Sequence, residues 1–495
     1  MTRPMAGVAG KSTGKSRADT SGSPLLALRD EVSPVGGPTG GLALTSPWAI
    51  LTLQDLTRGL TAFRQLIAGP TTESALADLA LDIDGPSALP SLYYHLETCR
   101  RLRLLCYPVM ARDERLFTIV PLTSGFEPAR YPVEASARFQ LSRFAFLRRE
   151  AEVLILESPL SASRTILGLA GGAALIAALA RPITAADLCE HVEGLSSDQA
   201  GTVLSLLAGA GVVAAVRGGT TEEDADPALR QWEVHDLFFH SRSRVGRSGA
   251  AFGATFRFLD QLAPLPALKA RTAGETIRLD RPDLARLAQS DRPFTAVLEA
   301  RTSKREYGTE PITVEQLGQF LFRVARVRHT IAPDPAAGLR YEASSRPYPS
   351  AGGVYDLELY VTVSACDGLA AGIYHFEPLE HELCKVGEPS ERTLALLRDA
   401  QQAAGLPVPP QVLITLASRF QRLSWKYSSL AYAAALKNVG ALYQTMYLVA
   451  TAMDLASCAL GGGDSDVFAA AAGSDYYREP AVGEFLLGSA RTGGG

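Results

Sequence analysis

Two different orders of predicted secondary structure follow one another along this chain, so one uniform architecture cannot account for it. In the first half, helical segments are followed by pairs of short strand-like runs, an order typical of winged helices. From about residue 293 onward, helices alternate with apolar strands, which is typical of helices packed on a central sheet. At 495 residues the chain is also too long for one ordinary core. We therefore predict an α+β chain: a C-terminal three-layer domain preceded by tandem winged-helix-like modules.

The first module, residues 46–130, is predicted from three helical segments and a hairpin. Apolar residues recur at helical spacing over residues 52–66 and 72–81, and the run LPSLYYHLETCRRLRLL continues that pattern. Residues 104–109 and 116–121 flank the polar turn ARDER and are expected to pair.

A second module, residues 131–245, repeats this order after the strand-rich bridge FQLSRFAFLRREAEVLILESP. Thr184 and Ser196 are placed to begin helices, and Gly211 is placed to end the second one. The runs VVAAV and QWEVHDLFFH are expected to be the wing strands. The run ILGLAGGAALIAALA is shorter than a membrane span and is predicted to be a buried helix.

The charge of these modules argues against nucleic acid as their partner. The formal net charge of the whole chain is −4, and the helix SSDQAGTVLSLLAGAG of the second module carries no lysine or arginine. We instead expect a peptide that pairs along the exposed edge of the wing. We expect neither nucleic acid nor a membrane as a partner.

Three further segments complete the predicted organisation. Residues 1–45 are rich in Gly, Ser, Thr and Pro, lack a secretory signal, and are expected to be disordered. Residues 246–290 are expected to be a connector, and residues 291–495 the three-layer domain. The six cysteines form no C-x-x-C pair and no cluster with histidine at metal-ligand spacing, so we predict no metal and a reduced, cytoplasmic protein.

The turn after the helix FTAVLEA is a candidate phosphate site. It places Arg301 and Arg305 four residues apart with the hydroxyl of Ser303 between them. If the turn is helical, both guanidinium groups share a face and can bind one phosphate. The alternative is a solvated basic turn.

Two loops of small residues are candidates for close approach by a planar ring. One is RPYPSAGG before the strand VYDLELYVTV, in which Ser350 adds a polar side chain. The other is LGGGD, in which Gly461 and Gly462 offer backbone N–H groups without a Cβ. Each loop alone could equally be an ordinary turn.

Together and in this order, these elements resemble the SagB/ThcOx-type azoline (thiazoline/oxazoline) dehydrogenases of the FMN-dependent nitroreductase superfamily. The resemblance spans about residue 232 to the end, and the first half is similar to the peptide-clamp region of ThcOx-like proteins. The segments that carry it are EVHDLFFHSRSRVGR, FTAVLEARTSKREYG, SSRPYPSAGGVYDLELY, GIYHFEP, LSWKYSSLAY, LKNVGALYQTMYLVATAMDLASCALGGGDSD and VGEFLLGS.

The resemblance implies an FMN cofactor and a homodimer with flavin at the subunit interface. It makes Arg301, Ser303 and Arg305 ligands of the phosphate and ribityl end of FMN, with Arg491 as a further phosphate contact. The helix from residue 428 to about 455 is expected to be either a dimer interface element or monomer core.

The same resemblance assigns the two loops to the flavin ring. Gly461 and Gly462 would present backbone N–H groups near flavin N5. Four residues would lie against the isoalloxazine and reach the flavin of the partner subunit: Pro349, Ser350, Ala351 and Gly352.

The pair Lys426 and Tyr427 matches the Lys-Tyr motif of azoline dehydrogenases. Azole formation removes a hydride and a proton from the azoline, so a base is needed. We expect Tyr427 to take or relay the proton while Lys426 adjusts the proton affinity of Tyr427. The reverse assignment stays open. Both side chains can meet one substrate only if the pair lies at or just before the first turn of the following helix.

The predicted activity is therefore oxidation of azoline rings in a peptide natural-product precursor. Oxygen is the expected final electron acceptor because no NAD-binding fingerprint is present. A cyclodehydratase complex or a carrier protein are the expected partners. Two alternatives remain: an NAD(P)H-dependent nitro or quinone reductase, and a non-catalytic subunit that presents the peptide.

Overall fold

The computed structural model describes residues 24–36, 42–53, 60–111, 114–128, 130–272 and 274–491. The chain divides into two compact units, Met1–Ala250 and Ala251–Gly495. In the first unit the elements are β1 Leu25–Leu28, β2 Ser33–Gly36, β3 Leu42–Ser46, β4 Ala49–Leu53, α1 Leu60–Ala68, β5 Thr71–Thr72, α2 Glu73–Asp84, α3 Leu89–Arg101, β6 Leu105–Ala111, β7 Glu114–Pro121, β8 Arg138–Leu141, β9 Phe146–Glu150, β10 Val153–Glu157, β11 Ser163–Leu167, α4 Leu169–Ala178, α5 Ala185–His191, α6 Ser197–Gly209, β12 Val213–Arg217, β13 Thr220–Thr221, α7 Glu222–Ala225 and α8 Val234–Arg242.

Part of the segment that we expected to be disordered forms strands. Residues 1–23 and 37–41 lie outside the described residues, but β1, β2 and β3 begin before residue 46. Strand β1 pairs with both β5 and β6, and its Leu26 is buried. The apolar run LLAL thus joins the sheet through partners far along the chain, which local composition does not reveal.

The first winged-helix-like module has the predicted order of helices α1, α2 and α3 followed by the hairpin β6–β7. Its wing, however, has no open edge. The two strands lie inside a seven-stranded sheet of order β5-β1-β6-β7-β11-β10-β9. A peptide cannot pair along this wing, because both of its edges already pair with other strands.

The second module keeps the predicted helices, but its wing differs. Thr184 and Ser196 each form a capping box that begins a helix, as predicted. Strand β12 pairs with β13 and with β8, which precedes the helices. The segment QWEVHDLFFH was predicted as a strand, but its residues from Val234 onward form helix α8, which buries Leu237 and Ser241 four residues apart on one face. The predicted buried helix over residues 166–180 begins only at Leu169.

The second unit is built around one large sheet. Its elements are β14 Gly253–Ala254, β15 Thr276–Arg278, α9 Leu284–Ser290, α10 Phe294–Ala300, α11 Val314–Ala325, β16 His329–Ile331, β17 Ala343–Ser345, β18 Leu357–Val363, β19 Gly372–Glu377, β20 Glu382–Gly387, α12 Glu391–Ala404, β21 Val412–Ser418, α13 Phe420–Lys426, β22 Tyr427–Ser428, α14 Ala431–Ala452, β23 Leu455–Ala459, α15 Ser465–Ala472 and β24 Ala481–Ser489.

The predicted three-layer arrangement is confirmed. Seven strands form the sheet in the order β15-β20-β19-β18-β21-β24-β23, with every neighbouring pair antiparallel. Ile414 of β21 packs with α11 and α14 on one face, and the adjacent Leu413 packs with α12 and α15 on the other. The inner face of α14 is therefore monomer core; its role in a dimer stays a prediction.

The expected connector, residues 246–290, is largely part of this second unit. From Ala251 onward it supplies β14, the edge strand β15 and helix α9. The C-terminal unit thus begins about forty residues earlier than residue 291, because the weakly periodic segment docks on the sheet and on α13 instead of linking two domains.

Three general features of the described residues bear on function. Within them, no helix has both the length and the apolarity needed to cross a bilayer. No cluster of three metal-ligating side chains is found in the described ranges. All six cysteines are free, and five of them are buried.

Candidate active site

Lys426 and Tyr427 lie at the junction between two helices, just before α14, where the sequence required them to be. Lys426 is the last residue of α13, and Tyr427 begins the short strand β22. Strand β14 pairs with β22, so Ala254 lies opposite Tyr427, and the Phe256 N–H donates to the Lys426 carbonyl at 3.1 Å. The segment that we expected to be a connector therefore holds the backbone of Lys426 and Tyr427 in place.

Both functional groups of the pair converge on Gly352. A methyl group added at Gly352 would overlap the Lys426 ammonium nitrogen and would lie 2.5 Å from the Tyr427 hydroxyl. Gly352 also has φ +58°, a conformation that favours glycine. The structure thus brings together, within one chain, the predicted Lys-Tyr pair and the predicted loop Pro349–Gly352.

Tyr341 holds the lysine in this position. The Lys426 ammonium donates to the Tyr341 phenol oxygen at 2.5 Å, and the Tyr341 hydroxyl donates to the Gly352 carbonyl at 2.6 Å. Tyr341 is buried, and this burial raises its pKa, with Arg422 acting in the opposite direction. Tyr341 therefore stays protonated near neutral pH and can donate to Gly352 while it accepts from Lys426.

A buried polar chain anchors the loop on the other side. The Ala351 N–H donates to the Asn438 side-chain oxygen at 2.9 Å, and the Asn438 amide donates to Asp356 at 2.6 Å. The Ser418 hydroxyl donates to the second oxygen of Asp356, and the Tyr355 N–H donates to the Ser350 hydroxyl. Ser350 thus stabilises its own loop.

Arg422 ties helix α13 to the segments around the loop. Its guanidinium donates to the carbonyls of Val354, Leu265 and Glu342. Burial, together with the neighbouring Arg419 and Arg346, lowers the pKa of Arg422 to about 10, so it remains charged at neutral pH. Three hydrogen bonds from one cation make the α13 end that carries Lys426 rigid.

The candidate phosphate turn is not helical. Helix α10 ends at Ala300, and Arg301 caps it with φ −61° and ψ 117°. The helical arrangement that we considered for Arg301 and Arg305 is therefore wrong. Arg301 and Ser303 nevertheless lie on the same side of the turn, because both contact Tyr447.

Tyr447 of α14 joins this turn to the triple-glycine loop. Arg301 lies over the Tyr447 ring at 5.3 Å from its centroid, and the Ser303 hydroxyl is 2.9 Å from the Tyr447 hydroxyl. The same hydroxyl accepts the Ala459 N–H at 2.8 Å. Ala459 ends β23, so Gly461 and Gly462 begin within two residues of this contact. We call the following residues the Tyr447 cluster: Arg301, Ser303, Tyr447, Ala459, Gly461 and Gly462.

The triple-glycine loop is open on one side and closed on the other. A methyl group at Gly461 or Gly462 would meet nothing within 4 Å, whereas one at Gly463 would overlap the Glu484 carboxyl group. Glu484 is buried, and burial raises its pKa to about 7. The backbone of Gly461 and Gly462 therefore faces space that a ligand can enter.

Arg491 lies beside the phosphate turn, but it has a partner. The neighbouring residue Ala490 bridges Tyr307, and the Arg491 guanidinium is 2.9 Å from the Glu306 carboxylate, with both side chains exposed. By contrast, Arg301 and Arg305 pair with no carboxylate in the described part of the chain. Arg491 is thus close enough to assist, but it is the least available of the three arginines.

The predicted residues therefore form two groups on α14 and not one. Asn438 supports the corner made by Lys426, Tyr427 and Gly352, and Tyr447 supports the other cluster. Nine residues separate Asn438 from Tyr447, which is about 14 Å along a helix. The structure does not bring the phosphate turn and the Lys-Tyr pair of one chain into contact.

These residues fit the FMN that the resemblance implies. The guanidinium groups of Arg301 and Arg305 lack carboxylate partners in the described residues, which suits a phosphate. The space beside Gly461 and Gly462 suits the approach of a ring to backbone N–H groups.

Three supporting residues were missed from the sequence. Tyr341 lies 85 positions before Lys426, and no spacing rule connects them. Asn438 and Tyr447 did carry a signal, because polar atoms on the inner face of an otherwise apolar helix need partners. Their partners, however, come from loops that only the fold brings near.

Three family models match this chain. The model described as "Cyanobactin oxidase ThcOx" matches residues 139–249. The model described as "ThcOx helix turn helix domain" matches residues 26–127, and the "Nitroreductase family" model matches residues 298–486. The three matches follow the order of the two winged-helix-like modules and the three-layer domain.

Individual proteins are also similar to this chain. A "Putative nitroreductase" of Methanocaldococcus jannaschii is 30% identical over 189 residues, which cover 38% of this chain and 85% of that protein. A solved structure with the same description, from Ralstonia eutropha, is 19% identical with a TM-score of 0.35, covering 47% of this chain and 97% of its own. The Escherichia coli microcin synthetase McbBCD complex gives 19% identity and a TM-score of 0.33, covering 51% of this chain and 86% of that one.

Proposed function

Because this chain belongs to the nitroreductase family of oxidoreductases, with ThcOx-type regions before its nitroreductase domain, we propose that it oxidises azoline rings in a peptide to azoles. The substrate would be a thiazoline- or oxazoline-bearing precursor of a peptide natural product, and FMN would be the cofactor.

The observation that carries this proposal is the convergence of Lys426 and Tyr427 on Gly352. Two groups able to hold or move a proton point to one place, beside a loop of small residues. Reduction of a loose aromatic acceptor needs no such pair. Removal of a proton from a weakly acidic ring carbon does need a positioned base.

The proposed cofactor site follows from the Tyr447 cluster. Arg301, Ser303 and Arg305 would hold the phosphate end, and the open backbone of Gly461 and Gly462 would lie against the ring. Bound FMN would supply the two-electron acceptor for the hydride that leaves the azoline. Residues of the chain itself would accept the remaining proton.

The hydrogen bonds of the pair favour Tyr427 as the proton acceptor. The Lys426 ammonium is held by the Tyr341 oxygen and lies 3.4 Å from the Gly352 carbonyl. The Tyr427 hydroxyl has no hydrogen-bond partner within the described ranges, so it is available to a substrate. The Lys426 ammonium lies 5.0 Å from the Tyr427 ring centroid.

The first unit supports a peptide substrate. A nitroreductase domain alone accounts for residues 298–486, and the two ThcOx-type matches lie before it. Modules without a basic recognition helix suit a peptide better than DNA. We propose that they bind the precursor, and that a cyclodehydratase or a carrier protein delivers it.

Mass spectrometry of an azoline-bearing peptide tests this function directly. The wild-type protein with FMN should remove two hydrogen atoms from the ring. Tyr427→Phe and Lys426→Ala should each slow this step by at least about a hundredfold, as expected for loss of general base catalysis. Rapid oxidation of NADPH with no change in the peptide would contradict the proposal.

We further propose a homodimer in which the Lys-Tyr corner of one chain serves the flavin held by the other. The test combines two inactive variants, Arg301→Gln/Arg305→Gln and Lys426→Ala. The two chains are mixed, unfolded and refolded together so that mixed dimers form. Mixed dimers should restore about a quarter of the wild-type rate, because half of the dimers are mixed and each has one intact site. No recovery would place both groups in the site of one chain.

A further inference from the structure

A cavity of about 520 Å³ opens on one face of the seven-stranded sheet in the first unit. This volume lies within the range of about 300–1,000 Å³ that is usual for ligand sites. Arg164 of β11 lies opposite Glu157 of β10, and Arg148 of β9 lies opposite Ile155, two residues from Glu157. These three charged side chains therefore share the face that lines the cavity.

The cavity is rich in arginine and has too few carboxylates to balance it. Glu150 and Glu157 line it, and Glu31 pairs with Arg29 at its edge. Five guanidinium groups thus meet three carboxylates, which leaves two positive charges unbalanced. The arginines are Arg29, Arg103, Arg148, Arg164 and Arg242.

Several of these guanidinium groups have donors to spare. Arg103 pairs with no carboxylate among the described residues; it donates to the Leu122 carbonyl at 3.0 Å and lies over the Trp48 ring. Within the described residues, the Arg164 Nε and one terminal nitrogen of Arg242 are buried and have no hydrogen-bond partner, although this Arg242 nitrogen lies 3.7 Å from the Glu157 carboxylate. Buried donors without acceptors are costly, so an anion placed there would be stabilised.

Strand β9, which supplies Arg148, is an end strand of the sheet. It pairs with β10 on one side and, within the described residues, with no strand on the other. Its side chains are mostly exposed. An extended peptide can add to such an edge, and alternate side chains of the added strand would fall on the cavity face beside Arg148.

We propose that this cavity binds the carboxylate side chains of an acidic, extended segment of the peptide substrate, which pairs with β9. The inference rests on the proposed function, since it names where that peptide is held. It moves the peptide edge from the predicted wing to β9, the end strand of this sheet.

Fluorescence anisotropy with the full chain tests the site. The probe is a labelled synthetic peptide of about ten residues in which Glu alternates with Thr, and the matched control has Gln at each Glu position. We expect the Glu peptide to bind at least about tenfold more tightly than the Gln peptide, because charge-assisted hydrogen bonds are lost in the latter.

Variants separate the cavity from general surface charge. Arg103→Gln removes a cation without leaving a carboxylate unpaired, and it should weaken binding at least about fivefold, while Arg103→Lys should weaken it less. Arg164→Gln should also weaken binding. Arg181→Gln, an exposed arginine elsewhere in the unit, should bind like the wild type.

Three results would overturn the proposal. The first is equal binding of the Glu and Gln peptides. The second is wild-type affinity in both cavity variants. The third is competition by free glutarate or inorganic phosphate at the same concentration as the peptide. Turnover of a short azoline peptide without an acidic segment reports on the oxidase alone. If that turnover is absent while the Glu peptide binds as expected, the oxidase is wrong and the cavity assignment is supported.

Discussion

The ammonium nitrogen of Lys426 lies 2.5 Å from the phenol oxygen of Tyr341, a residue 85 positions earlier in the chain. Tyr341 in turn donates to Gly352, on which Lys426 and Tyr427 converge. One buried phenol thus sets the spacing between the lysine and the glycine loop. This arrangement makes the position of Lys426, and not only its presence, open to experiment.

Removal of the Tyr341 hydroxyl is expected to impair the oxidation step and not substrate binding. Tyr341→Phe should lower kcat roughly tenfold or more, since a hydrogen bond to a charged group contributes about 1.5–3 kcal/mol, and KM should change little. Tyr374→Phe, which also loses a phenol bond to a backbone carbonyl, is the control and should keep the wild-type rate.

The pH dependence of kcat distinguishes positioning from structure in this variant. If Tyr341 positions Lys426, the pH–rate profile of Tyr341→Phe should shift while FMN content stays normal. A parallel fall in FMN content, thermal stability and rate, with an unshifted profile, would show that Tyr341 only supports the fold.

Gly352 and Gly353 form a matched pair for testing the glycine loop. Both have positive φ, at 58° and 68°, so alanine strains both by a similar amount, about 1 kcal/mol. Only at Gly352 would the methyl group displace Lys426 and Tyr427; at Gly353 the nearest atom is 3.9 Å away. We expect Gly352→Ala to lose most azoline oxidation and Gly353→Ala to keep it. Similar rates in both variants would contradict the proposed convergence.

Arg301 and Arg305 are expected to determine FMN affinity. Each charge-assisted bond to phosphate is worth about 1.5–3 kcal/mol, so Arg301→Gln and Arg305→Gln should each raise the Kd for FMN roughly 10- to 100-fold. Quenching of FMN fluorescence measures this Kd. The control is Arg398→Gln, an exposed arginine on α12. Unchanged Kd in both turn variants would remove the phosphate assignment.

Glu484 predicts a pH-dependent stability. Its folded pKa of about 7 lies above the ordinary value of 4.5, so the native state binds more protons between these values. The free energy of unfolding should therefore fall as pH rises from about 4.5 to 7, by up to about 3 kcal/mol. Glu484→Gln, which cannot ionise, should lose this dependence.

Thermal unfolding at pH 5 and pH 8 measures the Glu484 effect. The melting temperature of Glu484→Gln relative to wild type should be higher at pH 8 than at pH 5. An equal difference at both pH values would mean that the pKa of Glu484 is not raised in the folded protein.

The sequence predicted elements whose signals are local. Thr184 and Ser196 form the capping boxes expected of them, and the long apolar strands of the second unit lie where their runs indicated. Strand β1 was missed because its pairing partners β5 and β6 lie about 45 to 80 residues away. Helix α8 was mistaken for a strand because its apolar residues fit neither period alone.

The candidate site shows the same limit. Residues in compact motifs, such as Lys426, Tyr427 and Arg301, could be proposed from the sequence. Tyr341 and Tyr447 were not, since each acts by contacting a motif that is distant in the chain. Hydrogen bonds that join separate loops depend on the tertiary fold, and one sequence carries no direct record of them.

The spacing of Asn438 and Tyr447 on one helix limits how this enzyme can vary. A residue inserted between them would turn one support by about 100° relative to the other, so that either the loop or the arginine turn would lose its anchor. Length differences among relatives should therefore fall in the flanking loops, and α14 should tolerate substitutions but no insertions or deletions.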